Sequence, residues 1–365
     1  MQGIVRALGA ERGLAALLVL GLGVTLIQPG LLSDGRVWGA IALAAGLVLI
    51  IVCISVRVAH HAERIAQKVG DPYGTMILTL SAVIVEVLIL AIVLSHTQSP
   101  TLARDAIYSA VMLDINGILG VAALMGGLKH GEQSYNDDSA RTYSAMILTA
   151  MGISMVVPEF IDPGLWRHYS WFTIAAMITL YAVFLKMQTG QHSYFFSYSY
   201  PKKRNAAPPE PMTRQGLVFS IAILVLGVVA IGWLAESMSG ALQIAAESTG
   251  MPIALIALLV AGISAGPEIL TALRAALANR MQSVVNIALG ASLSTVILTV
   301  PAMEALALFN DQPFQMAMTP VQTVMVFLTL MVTAINLNDG QTNAIEGLTH
   351  FVLFATFLAL TVLGV

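Results

Sequence analysis

Long apolar runs alternate with short polar segments along the whole chain. Each run is close to the roughly 20 residues that an α-helix needs to cross a bilayer. The spacing therefore predicts an all-α polytopic membrane protein with eleven transmembrane helices and a lipid bilayer around them. The runs lie at 13–31, 37–58, 73–96, 105–127, 143–161, 169–188, 215–237, 252–278, 283–308, 319–337 and 344–364.

Composition supports a membrane protein and disfavours other classes. The 365 residues are 57% hydrophobic and 10% charged, whereas a soluble domain carries about 25% charged residues. The net charge is −3, and no basic block suggests a nucleic-acid partner. Cys53 is the only cysteine, which excludes a disulfide within the chain. No small-residue cleavage site follows the first apolar run, so we expect a retained helix rather than a signal peptide.

The basic residues predict the orientation of the helices. If the N-terminus lies in the cytoplasm, all of the 17 lysines and arginines except Arg36, Arg104 and Arg167 fall on cytoplasmic segments. Such an excess of positive charge marks the cytoplasmic side of a membrane protein. We therefore predict a multi-pass protein of the prokaryotic cytoplasmic (inner) membrane, with its N-terminus inside and its C-terminus outside.

The longest polar segment divides the chain into one extra helix plus five helices before it and five helices after it. It predicts an N-terminal transmembrane helix in 1–36, a first five-helix repeat in 37–188, a cytoplasmic linker in 189–214 and a second five-helix repeat in 215–365. Because five is an odd number, the two repeats have opposite orientations in the membrane. Inverted repeats of this kind are typical of secondary transporters.

Two carboxylic acids lie deep in apolar runs, at Glu86 and Glu268. A charge at the bilayer centre costs about 2.5–3.5 kcal/mol even on the mildest scale. Each glutamate is on the second helix of its repeat, roughly 21 and 24 Å from the start of that helix. A pseudo-two-fold axis would bring both together near mid-membrane, which predicts an ion or proton site. The alternative is a pair of neutral glutamates with a structural role.

Hydroxyl groups lie near both glutamates in the sequence. Ser264 precedes Glu268 by four residues and shares its helix face. Ser81 precedes Glu86 by five residues, so it needs a local loosening of the helix to join the same site. The second glutamate helix also contains residues that predict a helix break and a freed carbonyl one turn earlier: Gly262, Gly266 and Pro267.

The helix after each glutamate helix is also polar. Asp114 and Asn116 lie on the first of these helices, and Ser292 and Ser294 lie on the second. Each group could complete an oxygen coordination sphere, although serines in membrane helices also bond the backbone or allow close packing. Oxygen ligands suit hard cations such as Ca²⁺. Without a cation, two close carboxylates cannot both stay ionised, so cation binding displaces protons.

Several motifs together resemble a known family. They are the run 70–81 that leads to Glu86, the run Gly266-Pro267-Glu268 with 279–281 and 288–292, and the run 339–347 before the last helix. The chain is similar in these motifs to bacterial calcium/proton antiporters of the ChaA type, in the calcium/cation antiporter superfamily. The resemblance implies inverted five-helix repeats, a glutamate from each repeat at the ion site, and proton-coupled efflux of Ca²⁺, Na⁺ or K⁺. It also implies that Asp339, Asn343 and Glu346 support the ion site or the proton path.

Two other clusters have a simpler interpretation. His60 and Glu63 have a spacing that a metal site could use, with His61 adjacent, but a solvated helix end is favoured. The acidic segment 131–140 could recruit cations, but a plain cytoplasmic loop is favoured.

Two other functions compete with exchange. An intramembrane enzyme is disfavoured because the chain has neither a His-Glu-x-x-His nor a Gly-x-Ser-x-Gly motif. A cation channel is possible, but a pair of titrating carboxylates suits alternating access better than an open pore. The sequence predicts no cofactor, and its expected substrates are Ca²⁺ or a monovalent cation together with protons.

Overall fold

The computed structural model describes residues 12–32, 37–69, 73–97, 99–190, 193–198, 214–311 and 315–364. The segment Gly70-Asp71-Pro72, which begins the first motif, lies outside these residues. The same is true of the start of the chain before Arg12 and of the basic part of the predicted linker, 199–213.

Every one of the eleven predicted runs is helical. The helices are α1 Arg12–Leu32, α2 Val37–Val69, α3 Tyr73–Thr97, α4 Leu102–Met112, α5 Gly120–His130, α6 Asp137–Met151, α7 Trp166–Thr189, α8 Arg214–Thr249, α9 Ile253–Leu277, α10 Met281–Ser294, α11 Val300–Asn310, α12 Pro320–Asn336 and α13 Ala344–Leu363. Short 3₁₀ segments lie at Val157–Phe160, Pro163–Leu165 and Ser193–Phe196, and two short strands are β1 Gln133–Ser134 and β2 Gln341–Thr342.

Two of the spans are built from two α-helices joined by a π-helical segment. The segment πA, Leu113–Leu119, joins α4 to α5, and the segment πB, Thr295–Thr299, joins α10 to α11. A third π segment, Gly152–Val156, follows α6. Each joined pair is therefore one long helix, here named by its residues as helix 102–130 and helix 281–310.

The lengths of the helices confirm the predicted fold class. Within the described residues, nine helices are long and apolar enough to cross a membrane, and Arg12–Gln28 and Pro320–Asn336 are apolar but shorter. The order is one extra helix, α1, followed by two sets of five. The protein is therefore an all-α, multi-pass membrane protein with two inverted five-helix repeats.

The chain divides into two compact units that do not coincide with the repeats. Unit 1 contains α1, α2, most of α3, and α8, and unit 2 contains the remaining helices. In unit 1, α2 and α8 pack along each other. Gly227 of α8 leaves room for Val58, and a Cβ atom at Gly232 would lie only 3.0 Å from Leu88. Small residues thus allow close helix packing, as is common in membranes.

In unit 2, helix 102–130 forms the core. Its most apolar part is 78% buried, whereas the corresponding parts of α7 and α13 are each 22% buried. The helices α9 and α13 pack along it. The close approach of α13 depends on glycine, because a Cβ atom at Gly120 would lie 2.8 Å from the His350 Cβ, and one at Gly347 would overlap the backbone of Leu124.

We expect Gly347→Ala to lower the thermal unfolding midpoint of the purified protein. The added methyl group would overlap the backbone of Leu124 in α5, so α13 must move away from α5. Overpacking of this kind costs about 1–3 kcal/mol. Gly46→Ala is the matched control, because a Cβ atom at Gly46 of α2 meets nothing within 4 Å. Thermal unfolding of both variants in detergent would measure the difference. Equal midpoints would show that the α5–α13 contact does not limit stability.

At one end of unit 2, here called the first end, several loops contact one another. The sequence predicts these loops on the same side of the membrane. Strand β1 pairs antiparallel with β2, with Gln133 opposite Thr342. Lys129 Nζ donates to the Leu277 carbonyl at 2.9 Å. The segments that follow α5, α9 and α12 therefore contact one another, as the predicted alternation of the helices requires.

The described start of the linker also belongs to the first end. The Phe196 ring contacts the rings of Tyr143 and Phe184, with centroid distances of 5.4 and 5.5 Å. Asn286 Nδ2 donates to the Phe196 carbonyl at 2.9 Å. These contacts attach residues 193–198 to α6, α7 and α10.

The loops at the other end of unit 2, the second end, also contact one another. The Gln315 amide donates to the Pro100 carbonyl at 2.9 Å, and the Met318 amide donates to the Met155 carbonyl at 2.8 Å. Arg167 forms an ion pair with Asp311. These loops are the ones predicted on the opposite side of the membrane.

Arg104, predicted on an outer segment just before the apolar run 105–127, is instead part of a buried helix. The helix begins at Leu102, and Arg104 is only 7% exposed. Its Nη2 lies 2.8 Å from Asp105 Oδ1, and Gln322 Nε2 donates to the same oxygen at 2.9 Å. The charge can be buried because a hydrogen-bonded partner lies beside it. The residue stays at the second end, so the predicted side is unchanged.

Candidate cation and proton site

Glu86 lies on α3 in unit 1 and is 8% exposed. Ser81 is similarly buried, and its Oγ donates to the Ile77 carbonyl at 2.6 Å. Because α3 is an unbroken α-helix, residues five apart do not share a face. The loosening that would bring Ser81 to Glu86 is therefore absent, and the Ser81 hydroxyl bonds its own helix.

Glu268 lies on α9 in unit 2 and is half-buried. The helix α9 runs as one α-helix from Ile253 to Leu277, with Pro267 inside it. The break predicted at Gly262, Gly266 and Pro267 is therefore wrong for this structure. A membrane helix tolerates an internal proline when its neighbours hold the backbone in place, and α9 packs along helix 102–130.

Ser264 shares the face of Glu268, as its spacing predicts. Its Oγ donates to the Ala261 carbonyl at 2.9 Å. Ser294 behaves in the same way, since its Oγ donates to the Gly290 carbonyl at 2.7 Å. Both hydroxyl groups therefore bond their own helices, which is the alternative that the sequence leaves open. Their oxygen atoms keep a lone pair that could still accept a cation.

Two of the three π segments lie in the helices that follow the glutamate helices. The segment πA contains both Asp114 and Asn116, and πB lies on the corresponding third helix of the second repeat. Single π turns inside α-helices occur frequently at functional sites. The sequence shows the polar residues of πA, but no local pattern specifies the π turn itself.

Asp114 and Ser292 come together across two helices of unit 2. Asp114 is 2% exposed and Ser292 is fully buried. Ser292 Oγ donates to Asp114 Oδ2 at 3.3 Å. The helix α9, which carries Glu268, packs against πA and α10. A carboxylate and a hydroxyl predicted separately from sequence thus form one buried oxygen cluster.

Asn116 connects πA to the last two helices. Its Nδ2 donates to Thr329 Oγ1 at 2.7 Å, and its Oδ1 accepts a hydrogen bond from His350 Nδ1 at 3.0 Å. These three side chains are almost fully buried. This network orients the Asn116 amide, and Thr329 and His350 are partners that the sequence could not assign to it because they are more than 200 residues away.

The three residues of the last motif lie at the first end. Asn343 caps α13, because its Oδ1 accepts from the amides of Ile345 and Glu346 at 2.9 and 3.2 Å. Its Nδ2 donates to Glu346 Oε1 at 2.9 Å. Asp339 is exposed and accepts from the Gln341 amide at 3.0 Å. The motif therefore caps the N-terminus of α13. Its role in a proton path stays a prediction.

Tyr135 lies beside this motif, outside the spanning segments. Burial raises the pKa of its phenol, and the nearby carboxylates of Asp339, Glu346 and Asp137 raise the same pKa further. The phenol is therefore neutral throughout the working range of pH. This agrees with its role as a donor to the Gln341 carbonyl at 3.2 Å.

The cluster at the end of α2 agrees with a solvated helix end. His60 and Glu63 are exposed, whereas His61 is buried with its Nδ1 3.1 Å from Ser220 Oγ. Among the residues that the structure describes, no group of three or more histidine, cysteine or acidic side chains is placed to hold a metal ion.

The acidic segment 131–140 has the features of a plain loop and helix start. Asp137 and Asp138 begin α6, where negative charge is favourable. Asp137 pairs with Arg141 at 2.6 Å.

One buried carboxyl group was missed by the sequence reasoning. Glu304 lies on α11, is 4% exposed, and has an Oε2 atom without a hydrogen-bond partner in the described part of the chain. The signal was present, because Glu304 is the only acidic residue in the apolar run 283–308.

The two predicted carboxylates belong to different units. Glu86 is in unit 1, whereas Glu268, Asp114, Asn116, Ser264, Ser292 and Ser294 are in unit 2. The sharing of one site by Glu86 and Glu268 therefore stays a prediction from the sequence.

The fold and these intramembrane carboxyl groups define a class of protein, the polytopic membrane proteins built from two inverted five-helix repeats. The family model described as sodium/calcium exchanger protein matches residues 38–190 and 219–363. These ranges cover most of the chain and both predicted repeats. The chain belongs to this sodium/calcium exchanger family.

Individual relatives agree with this assignment. The chain is 32% identical over 329 residues to the putative ionic transporter y4hA of Sinorhizobium fredii, covering 87% of each protein. It is 30% identical to the sodium-potassium/proton antiporter ChaA of Escherichia coli, covering 88% of this chain and 91% of that protein. The structure of the Ca²⁺/H⁺ antiporter YfkE matches with a TM-score of 0.73 and 19% identity, over 96% of this chain and 100% of that one. This last similarity supports the fold.

Proposed function

We propose that the protein is a secondary active transporter that exchanges a cytoplasmic cation, Ca²⁺ or a monovalent cation, for protons by alternating access. It is proposed to act in the inner membrane, with its N-terminus in the cytoplasm and its C-terminus outside, and without enzymatic chemistry. The family supports ion exchange. The relative from Escherichia coli is a sodium-potassium/proton antiporter, and the similar structure is that of a Ca²⁺/H⁺ antiporter.

The observation that carries the proposal is the place of the two glutamates. Glu86 and Glu268 each lie within the second helix of a repeat, inside a span of mean hydropathy above 2. An intramembrane ionisable residue is a functional-site hypothesis by default. Two such residues at corresponding places in inverted repeats favour a transport site, because scaffolding alone does not require this repetition.

The carboxyl groups link cation binding to proton release. A carboxylic acid away from water favours its neutral, protonated form, and a bound cation favours the carboxylate. A cation that binds to either glutamate therefore displaces its proton. On release of the cation, the same oxygens take up protons again. Asp114 is proposed to add a third carboxylate to the cation-bound state, with Ser292 orienting its Oδ2.

A flux experiment in everted vesicles tests this function. A pH gradient is established first, and Ca²⁺, Na⁺, K⁺ and Mg²⁺ are then added separately. An exchanger collapses the gradient only when its own cation is added, and the panel identifies that cation. Collapse by none of the cations would contradict proton-coupled exchange.

A cation channel is the alternative, and the same vesicles distinguish it. Channel flux follows the membrane potential and needs no proton movement. An imposed potential that drives cation flux at constant pH on both sides would therefore favour the channel.

We expect Asp114→Asn to raise the half-saturating cation concentration more than it lowers the maximal rate. The amide keeps an oxygen in reach of Ser292 but removes the negative charge that binds the cation. Concentration dependence of exchange in everted vesicles measures both quantities. Asp138→Asn, at the start of α6 at the first end, is the matched control. Unchanged half-saturation of Asp114→Asn for every transported cation would assign Asp114 a structural role.

A further inference from the structure

One buried carboxylic acid lies outside the proposed cation site. Glu304 is 4% exposed. Among the described residues, no lysine or arginine forms an ion pair with it. The two arginines at the second end have other partners, since Arg104 pairs with Asp105 and Arg167 with Asp311. A buried carboxylate without a cation is costly in a membrane. The buried surroundings of Glu304 therefore favour the neutral acid, with a proton on Oε2.

The helix packed against Glu304 offers a phenol rather than a cation. The helix α7 packs along α11, and Tyr169 of α7 lies within electrostatic reach of Glu304. The Tyr169 hydroxyl donates to the Ile153 carbonyl at 2.7 Å. Its proton is therefore engaged elsewhere, and it does not neutralise the carboxylate.

The position of Glu304 connects the second end to πB. It lies six residues before Asn310, the last residue of α11, which is roughly 9 Å along the helix. In the other direction, πB ends at Thr299, whose Oγ1 is also buried and without a hydrogen-bond partner among the described residues. Buried polar atoms without protein partners are places where ordered water binds. The two buried polar atoms lie five residues apart in an otherwise apolar span, one at the end of πB and the other closer to the second end.

We propose that Glu304 is a proton-binding site of the exchange cycle, between the solution at the second end and the segment πB. The inference rests on the proposed proton-coupled exchange. In the inward step, a hydronium ion at the second end gives its proton to Oε2, forming an O–H bond and leaving water. In the next step, the same proton passes to water on the πB side, and the carboxylate is restored. The reverse steps carry a proton outward, and no electron is transferred.

The test separates proton movement from cation movement. In proteoliposomes that contain the full chain, one assay measures cation flux driven by a pH gradient. A second assay measures exchange of ⁴⁵Ca²⁺ for unlabelled Ca²⁺ at equal pH, which needs no net proton transfer; ²²Na⁺ replaces it if the wild type transports Na⁺. We expect Glu304→Gln to lower the first rate by about a hundredfold, the lower range for a positioned proton-transfer group. The isotope exchange remains at the wild-type rate.

Two further variants make the result decisive. Glu159→Gln changes an exposed carboxylate near the second end and retains both rates. Glu304→Asp keeps a titratable group and restores proton-driven flux, with a shifted pH profile. Proton-driven flux at the wild-type rate and pH profile in Glu304→Gln would overturn the inference. So would equal loss of both assays in the Gln and Asp variants with a lowered unfolding midpoint, since that pattern indicates a structural role.

Failure of the proposed function gives a different result. A wild-type protein that exchanges isotopes but shows no flux driven by a pH gradient would refute proton coupling itself, and the role of Glu304 with it. Loss confined to Glu304→Gln supports both proposals.

Discussion

Glu86→Gln and Glu268→Gln are each expected to abolish proton-coupled exchange while the protein still folds. Glutamine keeps the size and shape of the side chain, but it neither ionises to bind a cation nor carries a proton. We expect the rate in everted vesicles to fall to about a hundredth of wild type or less. Thermal unfolding should change little, because glutamine fills the same volume in each helix.

Controls for these variants lie on the same units. Glu247 is exposed on α8 in unit 1, and Glu159 is exposed in unit 2. Their glutamine variants should exchange at the wild-type rate. Retention of wild-type exchange by Glu86→Gln or by Glu268→Gln would remove that glutamate from the mechanism, whatever the result for the other.

The second large effect is the dependence of cation affinity on pH. Protons and cations compete for the same carboxyl oxygens, so a lower pH should raise the half-saturating cation concentration. The change should approach about tenfold per pH unit where one proton leaves for each cation bound. Protons occupy the site at low pH, and added cation should therefore restore the rate at that pH.

This dependence is measured as half-saturation at several values from about pH 6 to about pH 9, a range that brackets the titration of buried carboxyl groups. Both faces of the membrane are held at the same pH, so that no gradient drives transport. A half-saturating concentration that is constant over this range would refute a binding site shared by cation and proton, even if the protein still moves cations.

The contrast between α9 and πA shows why some of the site could be predicted and some could not. Pro267 and two glycines are local signals, and they predict a break in α9 that does not occur. The π turn at Asp114 has no comparable signal, although it is present. Helix geometry inside a membrane depends on the neighbours that compress or support the backbone. Residue propensities therefore predict a break that is absent from α9 and miss the π turn that is present at Asp114.

The serine residues show a similar limit. Sequence spacing correctly places Ser264 on the face of Glu268, because a continuous helix has a fixed period. It does not indicate whether a hydroxyl points to its own backbone, as in Ser264 and Ser294, or across to another helix, as Ser292 does to Asp114. That choice depends on the acceptor that the neighbouring helix presents.

The sequence by itself determined the helices, their order, their inverted repetition and the two glutamates that support a transport function. It could do so because each helix that crosses a bilayer needs a long apolar segment, which is visible in the sequence. An ionisable residue within such a segment is equally visible, because it interrupts the apolar run. Only the tertiary structure decided which polar groups meet: Asp114 with Ser292, Asn116 with Thr329 and His350, and Asp105 with Arg104 and Gln322. Most of these partners are more than 170 residues apart, and they come together because helix packing buries polar atoms that must then find hydrogen bonds.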